Sequence, residues 1–242
     1  MATGIFKQIE NRIVPKIEYI IAISSITKDR IKKYLFRNSE VIFPVFNKNR
    51  FRNLGYKKYF FYPSRIAPEK RFEYTIEAFR KFQQRGGERV KDWKLIIGGG
   101  TETQYSKYIL KIKSMAVNNV EFLTDLSNRD LAKLYGEAYT ILFAPIEEDF
   151  GMVPIEGFTA RKPCIAVNEG GPKETIIDGV DGYLVNNIEE MADRMIYLSE
   201  RPKLVKEMGK AGNIKLKGTF SEERFFSTLS KVLDRVSKGD KL

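Results

Sequence analysis

Two hydrophobic periods take turns along this chain. Short apolar runs recur between longer stretches in which apolar residues return every three or four positions. The runs at 59–62, 94–97, 120–123, 140–144, 164–167 and 182–185 read as strands. The stretch 72–84 carries Phe72, Ile76, Phe79 and Phe82 along one helical stripe, and Gly86-Gly87 stops it. Helices are also predicted over 104–116, 128–135 and 173–177, and three more, at about 188–200, 202–216 and 221–237, close the chain. Upstream, 19–23 is an apolar strand ending in Ser24-Ser25, a basic helix follows to about Phe36, and 41–46 is a short strand or extended run. Strands alternating with helices predict an α/β fold whose parallel sheet is doubly wound, Rossmann-like, with no repeat or low-complexity tract.

Composition narrows the chemistry. The chain has 242 residues, 43% of them hydrophobic, enough for one ample core and for one or two domains. No apolar run approaches the roughly 20 residues that cross a bilayer. The start lacks the basic, apolar and small-residue order of a signal peptide. The expectation is a cytoplasmic protein, peripheral at a membrane at most. One cysteine, Cys164, excludes an internal disulfide, and its apolar strand makes it a buried structural thiol. There is no histidine, which removes Ser-His triads, imidazole metal ligands and imidazole acid–base catalysis together. The net charge of +11 fits either a solvated surface or an anionic partner: a sugar nucleotide, an anionic membrane surface or nucleic acid. The basic residues are scattered rather than clustered, so nucleic acid is not expected. No carboxylate grouping has Zn or Ca spacing. Gly98-Gly99-Gly100 follows a strand, but Thr103 stands where a dinucleotide fingerprint needs its third glycine, so the tract reads as a tight strand exit.

The segment from Glu147 to Gly182 holds the densest chemistry. Glu148 and Glu156 flank a Phe150-Gly151 turn that opens a helix. Gly151 permits close backbone approach, and the N–H groups and positive dipole end of the helix, at Met152 and Val153, favour phosphate. Glu156 lies on the helix and Glu148 before it, so the two carboxylates reach different parts of one polyhydroxylated, phosphorylated ligand.

These residues resemble the E-x7-E signature of retaining GT-B glycosyltransferases, in particular glycosyltransferase family 4. The stretches Lys162–Val167, Gly170–Glu174 and Asp178–Val185 are similar to that family's donor-site strand and loops, and Ser64–Arg71 to its basic pair after the first donor-domain strand. The resemblance covers roughly residues 15 to 237. It implies the donor-binding half of a GT-B fold: residues 1–50 a remnant of the N-terminal acceptor domain with the crossover, and 51–242 the donor domain. It implies a hexosyltransferase of mannose or glucose type that moves sugar from a nucleotide diphosphate sugar to a glycan or lipid-linked acceptor with retention, without cofactor or metal. Arg65 and Lys70 would hold the diphosphate, Glu148 the transferred sugar and Glu156 the ribose. Phe150, Gly151, Met152 and Val153 would line the donor, and Leu123 and Leu126 would pass the nucleobase. Glu174 either caps its helix or meets the ligand. The alternative is a non-catalytic sugar-nucleotide-binding subunit that needs a partner chain for the acceptor half. One departure stands out: Gly157 and Arg161 replace the small helical residue and turn glycine usual in the family.

Overall fold

The computed structural model describes residues 12–47 and 49–239. The chain divides into two compact units, one of Asn47–Gly218 and one of residues 1–46 with 219–242. The first eleven residues of the expected acceptor-domain remnant lie outside the described residues.

The smaller unit pairs β1 (Ile21–Ala22) with β2 (Glu40–Val41) in parallel, linked by α1 (Ser25–Arg30) and a π-helical continuation over Ile31–Leu35. Ser24 caps α1 by accepting from the Thr27 N–H. The extended run expected to reach Phe46 keeps only its first residue in a strand. The last helix was expected inside the 51–242 portion, yet it groups here. The reason is chemical: Arg235 from that helix pairs with Glu40, and Phe43 packs on Phe220 with ring centroids 5.4 Å apart.

The larger unit forms a six-stranded, wholly parallel sheet. In chain order it runs β3 (Tyr59–Pro63), α2 (Phe72–Gly86), β4 (Lys94–Gly98), α3 (Ser106–Met115), β5 (Val120–Leu123), α4 (Asn128–Glu137), β6 (Thr140–Phe143), α5 (Met152–Thr159), β7 (Cys164–Val167), α6 (Pro172–Thr175), β8 (Gly182–Val185), α7 (Ile188–Ser199) and α8 (Pro202–Thr219). The final helix of the smaller unit, Glu222–Ser237, is α9. The spatial order β5-β4-β3-β6-β7-β8 is that of a doubly wound sheet. Strands β3, β6 and β7 are buried along their whole length, as parallel strands covered on both faces must be.

The predicted stripe on α2 faces the sheet: Phe72, Ile76, Phe79 and Phe82 are all fully buried. Phe60 of β3 meets Phe82 edge-on at 5.1 Å and stacks on Trp93 at 5.1 Å. Gly157 is explained by packing. A Cβ there would lie 2.8 Å from Ile141 Cγ1, so the glycine lets α5 settle onto β6. Arg161 takes left-handed backbone (φ 55°) in the turn after α5, the conformation that would favour the glycine expected there from the resemblance.

Strand order reverses between β3 and β6. Their chains leave the sheet in opposite directions there, and an open α/β sheet has its ligand crevice at that point, beyond the carboxyl ends of the strands.

Candidate active site

The loop after β3 brings Arg65 and Lys70 to that crevice, and the loop after β6 brings Glu148, Phe150 and Gly151. Five bonds fix the two loops to each other. The buried Tyr62 hydroxyl donates to the Lys70 carbonyl and accepts from the Ala144 N–H at 3.1 Å. The Ile146 N–H donates to the Glu69 carbonyl at 2.8 Å. Arg71, itself in left-handed backbone (φ 48°), donates to the carbonyls of Ala144 (2.8 Å) and Pro145 (3.0 Å). Arg71 is therefore a clamp between the loops, a role invisible in the basic motif that contains it. Burial pushes the Tyr62 hydroxyl well above its ordinary pKa, so it stays protonated and keeps both bonds.

Across this fixed frame Lys70 Nζ meets Glu148 Oε2 at 2.7 Å, with both side chains about four-fifths buried (19% and 21% exposed). The sequence puts these groups 78 positions apart; the switch point brings them into contact. Arg65 stands apart from that pair. Its guanidinium is shared between Glu102 (2.7 Å) and Glu69 (3.0 Å) and is half exposed.

Gly151 caps α5 in left-handed backbone (φ 86°), and no side chain occupies that cap. A Cβ here would lie 3.3 Å from both the Pro172 nitrogen and the Thr175 hydroxyl. Phe150 is buried, and Met152 and Val153 are half-buried on the first helical turn. The next loop presses on this one: a Cβ on Gly171 would stand 2.2 Å from the Phe150 carbonyl carbon, and one on Gly170 2.6 Å from the Glu148 oxygen. The Gly171 N–H donates to the Glu148 carbonyl at 2.7 Å. Gly170-Gly171 thus buttress the loop that carries Glu148.

Glu156 sits one helical turn on, 14% exposed, with Oε1 accepting from Arg50 at 2.7 Å and Oε2 from the Tyr135 hydroxyl. Burial raises its carboxyl above the ordinary range, opposed by the Tyr135 hydrogen bond and the Arg50 charge. Phe51 stacks on Tyr135 at 4.2 Å and holds that partner in place. Neither Arg50 nor Tyr135 was singled out in the sequence. Leu123 and Leu126 side chains line a groove of about 530 Å³ that takes in Lys58, Asp92 and Lys94 at the amino ends of β3 and β4 and none of Lys70, Glu148 and Glu156, so the structure does not bring these two leucines together with that site, while the Leu123 carbonyl accepts from the Gly99 N–H at 3.1 Å. Gly99 is required there, since a Cβ would fall 1.9 Å from the Ser64 oxygen. Glu174 lies on the short helix α6.

Comparison with known proteins agrees with this architecture. The family model described as "Glycosyl transferases group 1" matches residues 46–215. The chain is similar to the alpha-1,3/1,6-mannosyltransferase ALG2 of Dictyostelium discoideum, 28% identical over 88% of this chain and 59% of that one. It is 26% identical to human ALG2 over 88% of this chain and 56% of its relative. The chain thus spans somewhat more than half the length of these curated relatives. Among solved structures, Anabaena Alr3699/HepE, crystallised with UDP and glucose, superposes with a TM-score of 0.78 over 90% of this chain and 63% of its own, at 17% identity. At that identity the likeness is one of fold.

Proposed function

This chain belongs to the group 1 glycosyl transferases, and from that membership we propose that it binds a nucleotide diphosphate sugar at the β3–β6 crevice and serves transfer of the sugar, mannose or glucose in type, to a glycan or lipid-linked acceptor with retention. The observation that carries the reading is the Lys70–Glu148 contact beside an uncapped, glycine-started helix. Lys70 and the start of α5 offer positive potential to a diphosphate. Glu148 offers an acceptor to sugar hydroxyls once Lys70 turns to phosphate, and Glu156, held by Arg50 and Tyr135, offers one to the ribose. Arg65 joins when the diphosphate replaces Glu69 and Glu102 as its partner.

In the reaction so read, the bond from the anomeric carbon to the diphosphate oxygen breaks. A bond to the acceptor oxygen forms on the same face, and the acceptor proton passes to the leaving phosphate. Cations at the leaving group stabilise the charge that builds there, and no metal or cofactor is part of the scheme. The acceptor half would come from further chain or from a partner. An isolated chain with this donor site would bind well and turn over poorly, because alignment of acceptor with donor supplies much of the rate.

The two carboxylates should separate in a titration. Glu156→Ala is expected to weaken the free nucleotide diphosphate and the sugar nucleotide alike by more than about tenfold, from the roughly 1.5–3 kcal/mol of a charged hydrogen bond. Glu148→Ala should weaken only the sugar-bearing form to that degree. Small, equal losses in both variants for both ligands would contradict the assigned roles, and family-typical turnover by the isolated chain would contradict the need for an acceptor half.

A further inference from the structure

Packing accounts for the ring of Tyr135 but not for its hydroxyl. The side chain is fully buried on α4. Phe51 stacks on the ring at 4.2 Å, and Phe61 of β3 meets it edge-on at 5.3 Å. The neighbouring Gly136 lets the 52–54 segment close over the helix. A Cβ there would fall 2.6 Å from the Arg52 oxygen, and the Leu54 N–H donates to the Gly136 carbonyl at 2.7 Å. Phenylalanine would fill the same slot, since a buried hydroxyl brings only a desolvation cost unless it finds a partner. Among the described residues that partner is one group, Glu156 Oε2.

The two bonds to Glu156 differ in kind. Arg50, on Oε1, is close to half exposed (46%), so a ligand can take its place. Tyr135 is locked between two rings. Burial holds its hydroxyl protonated, and the Glu156 charge acts the same way, so it can only donate. We infer that Tyr135 is a positioning residue of the nucleotide site: its hydroxyl fixes Oε2 and keeps the carboxylate aimed while Arg50 yields Oε1 to the ribose hydroxyls. A carboxylate has about four lone-pair sites, so one donor on Oε2 leaves capacity for a vicinal diol. The inference rests on the donor-site reading and adds the residue through which Glu156 is held to its task. Tyr135 from α4 and Arg50 from the segment before β3 are the charged or titratable groups that face this carboxyl. Burial raises its pKa, and both groups oppose the rise, Tyr135 more than Arg50. Without the hydroxyl the carboxyl takes up its proton at a higher pH.

Tyr135→Phe tests the inference, with the best wild-type binder among UDP-, GDP-, ADP- and dTDP-linked hexoses as the probe. The variant keeps both ring contacts and should remain folded by urea unfolding, yet bind the probe about tenfold more weakly. Its affinity should also fall on acidification at a higher pH than that of wild type, which a purely structural tyrosine would not cause. In a Glu156→Ala background the same substitution should change affinity less than about twofold, because no carboxylate is left to aim. Phe51→Leu loosens the ring but keeps the hydroxyl, and should lose roughly threefold. Wild-type affinity and pH profile in Tyr135→Phe, with Glu156→Ala still weakening the probe, would overturn this inference and leave the donor site standing. An undiminished tenfold loss in the Glu156→Ala background would overturn it too. No binding by wild type would remove the donor-site reading and this inference with it.

Discussion

Lys215→Met is expected to cost the larger unit about 3–5 kcal/mol, the scale for removing one partner of a buried ion pair. Lys215 reaches from α8 to the Asp181 carboxylate, to the Thr175 carbonyl at 2.6 Å and over the Phe158 ring at 4.7 Å. Asp181 is only 1% exposed, and its other oxygen accepts from the Ile177 N–H at 2.8 Å. Burial is the largest influence on both groups, raising the pKa of Asp181 and lowering that of Lys215. Each is charged largely because the other is. Methionine fills the volume and leaves the carboxylate without a cation. Against a typical total of about 5–15 kcal/mol, that loss is a large fraction. It also reaches the site, because Thr175 lies against Gly151. Urea unfolding measures it, and the companion Asp181→Asn/Lys215→Met double variant should recover most of the stability. A single variant within about 1 kcal/mol of wild type would mean that the pair is not truly desolvated.

A stability curve that climbs above neutral pH is the second large effect. Lys162, in the turn between α5 and β7, is fully buried; its ammonium donates to the Gly55 carbonyl and lies 3.7 Å from the Tyr56 ring centroid. Burial brings its pKa down to about 7, with Glu137 opposing. In the unfolded chain a lysine holds its proton to about pH 10.4. Between those values the unfolded state binds one more proton than the folded state, so stability rises with pH, by about 1.4 kcal/mol per unit. Lys162→Met removes this contribution. The difference in unfolding free energy between wild type and variant should therefore shift in favour of wild type from pH 7 to pH 10, and stay level below pH 6. Parallel curves across the whole range would show that Lys162 keeps its proton in the folded protein.

The sheet was legible because strands buried on both faces must be continuous apolar runs, and 59–62 and 164–167 could be little else. The carboxylate pair was legible because it flanks a glycine turn within ten residues of sequence. What pairs with those carboxylates was not. Arg50 meets Glu156 across 106 positions, and nothing near either residue encodes the contact. The burial of Lys162 was not legible either, since one charged residue in a turn carries no mark of burial. Gly157 looked like a helix defect because its reason lies on β6. The grouping of α9 with residues 1–46 was hidden for the same cause: Arg235 and Glu40 are 195 positions apart. Periodicity reports burial along one element, whereas these features depend on which elements the topology brings together.

The account rests on a donor site at the carboxyl ends of β3 and β6, and calorimetric titration tests it most directly. The chain should be titrated with UDP-, GDP-, ADP- and dTDP-linked hexoses in the presence of a chelator, beside a Lys70→Ala variant. One of these sugar nucleotides is expected to bind with a clear heat, unaffected by the chelator and weakened more than about tenfold in the variant, as for loss of a charged hydrogen bond. Failure of all of them at millimolar concentration, or equal binding by Lys70→Ala, would contradict it.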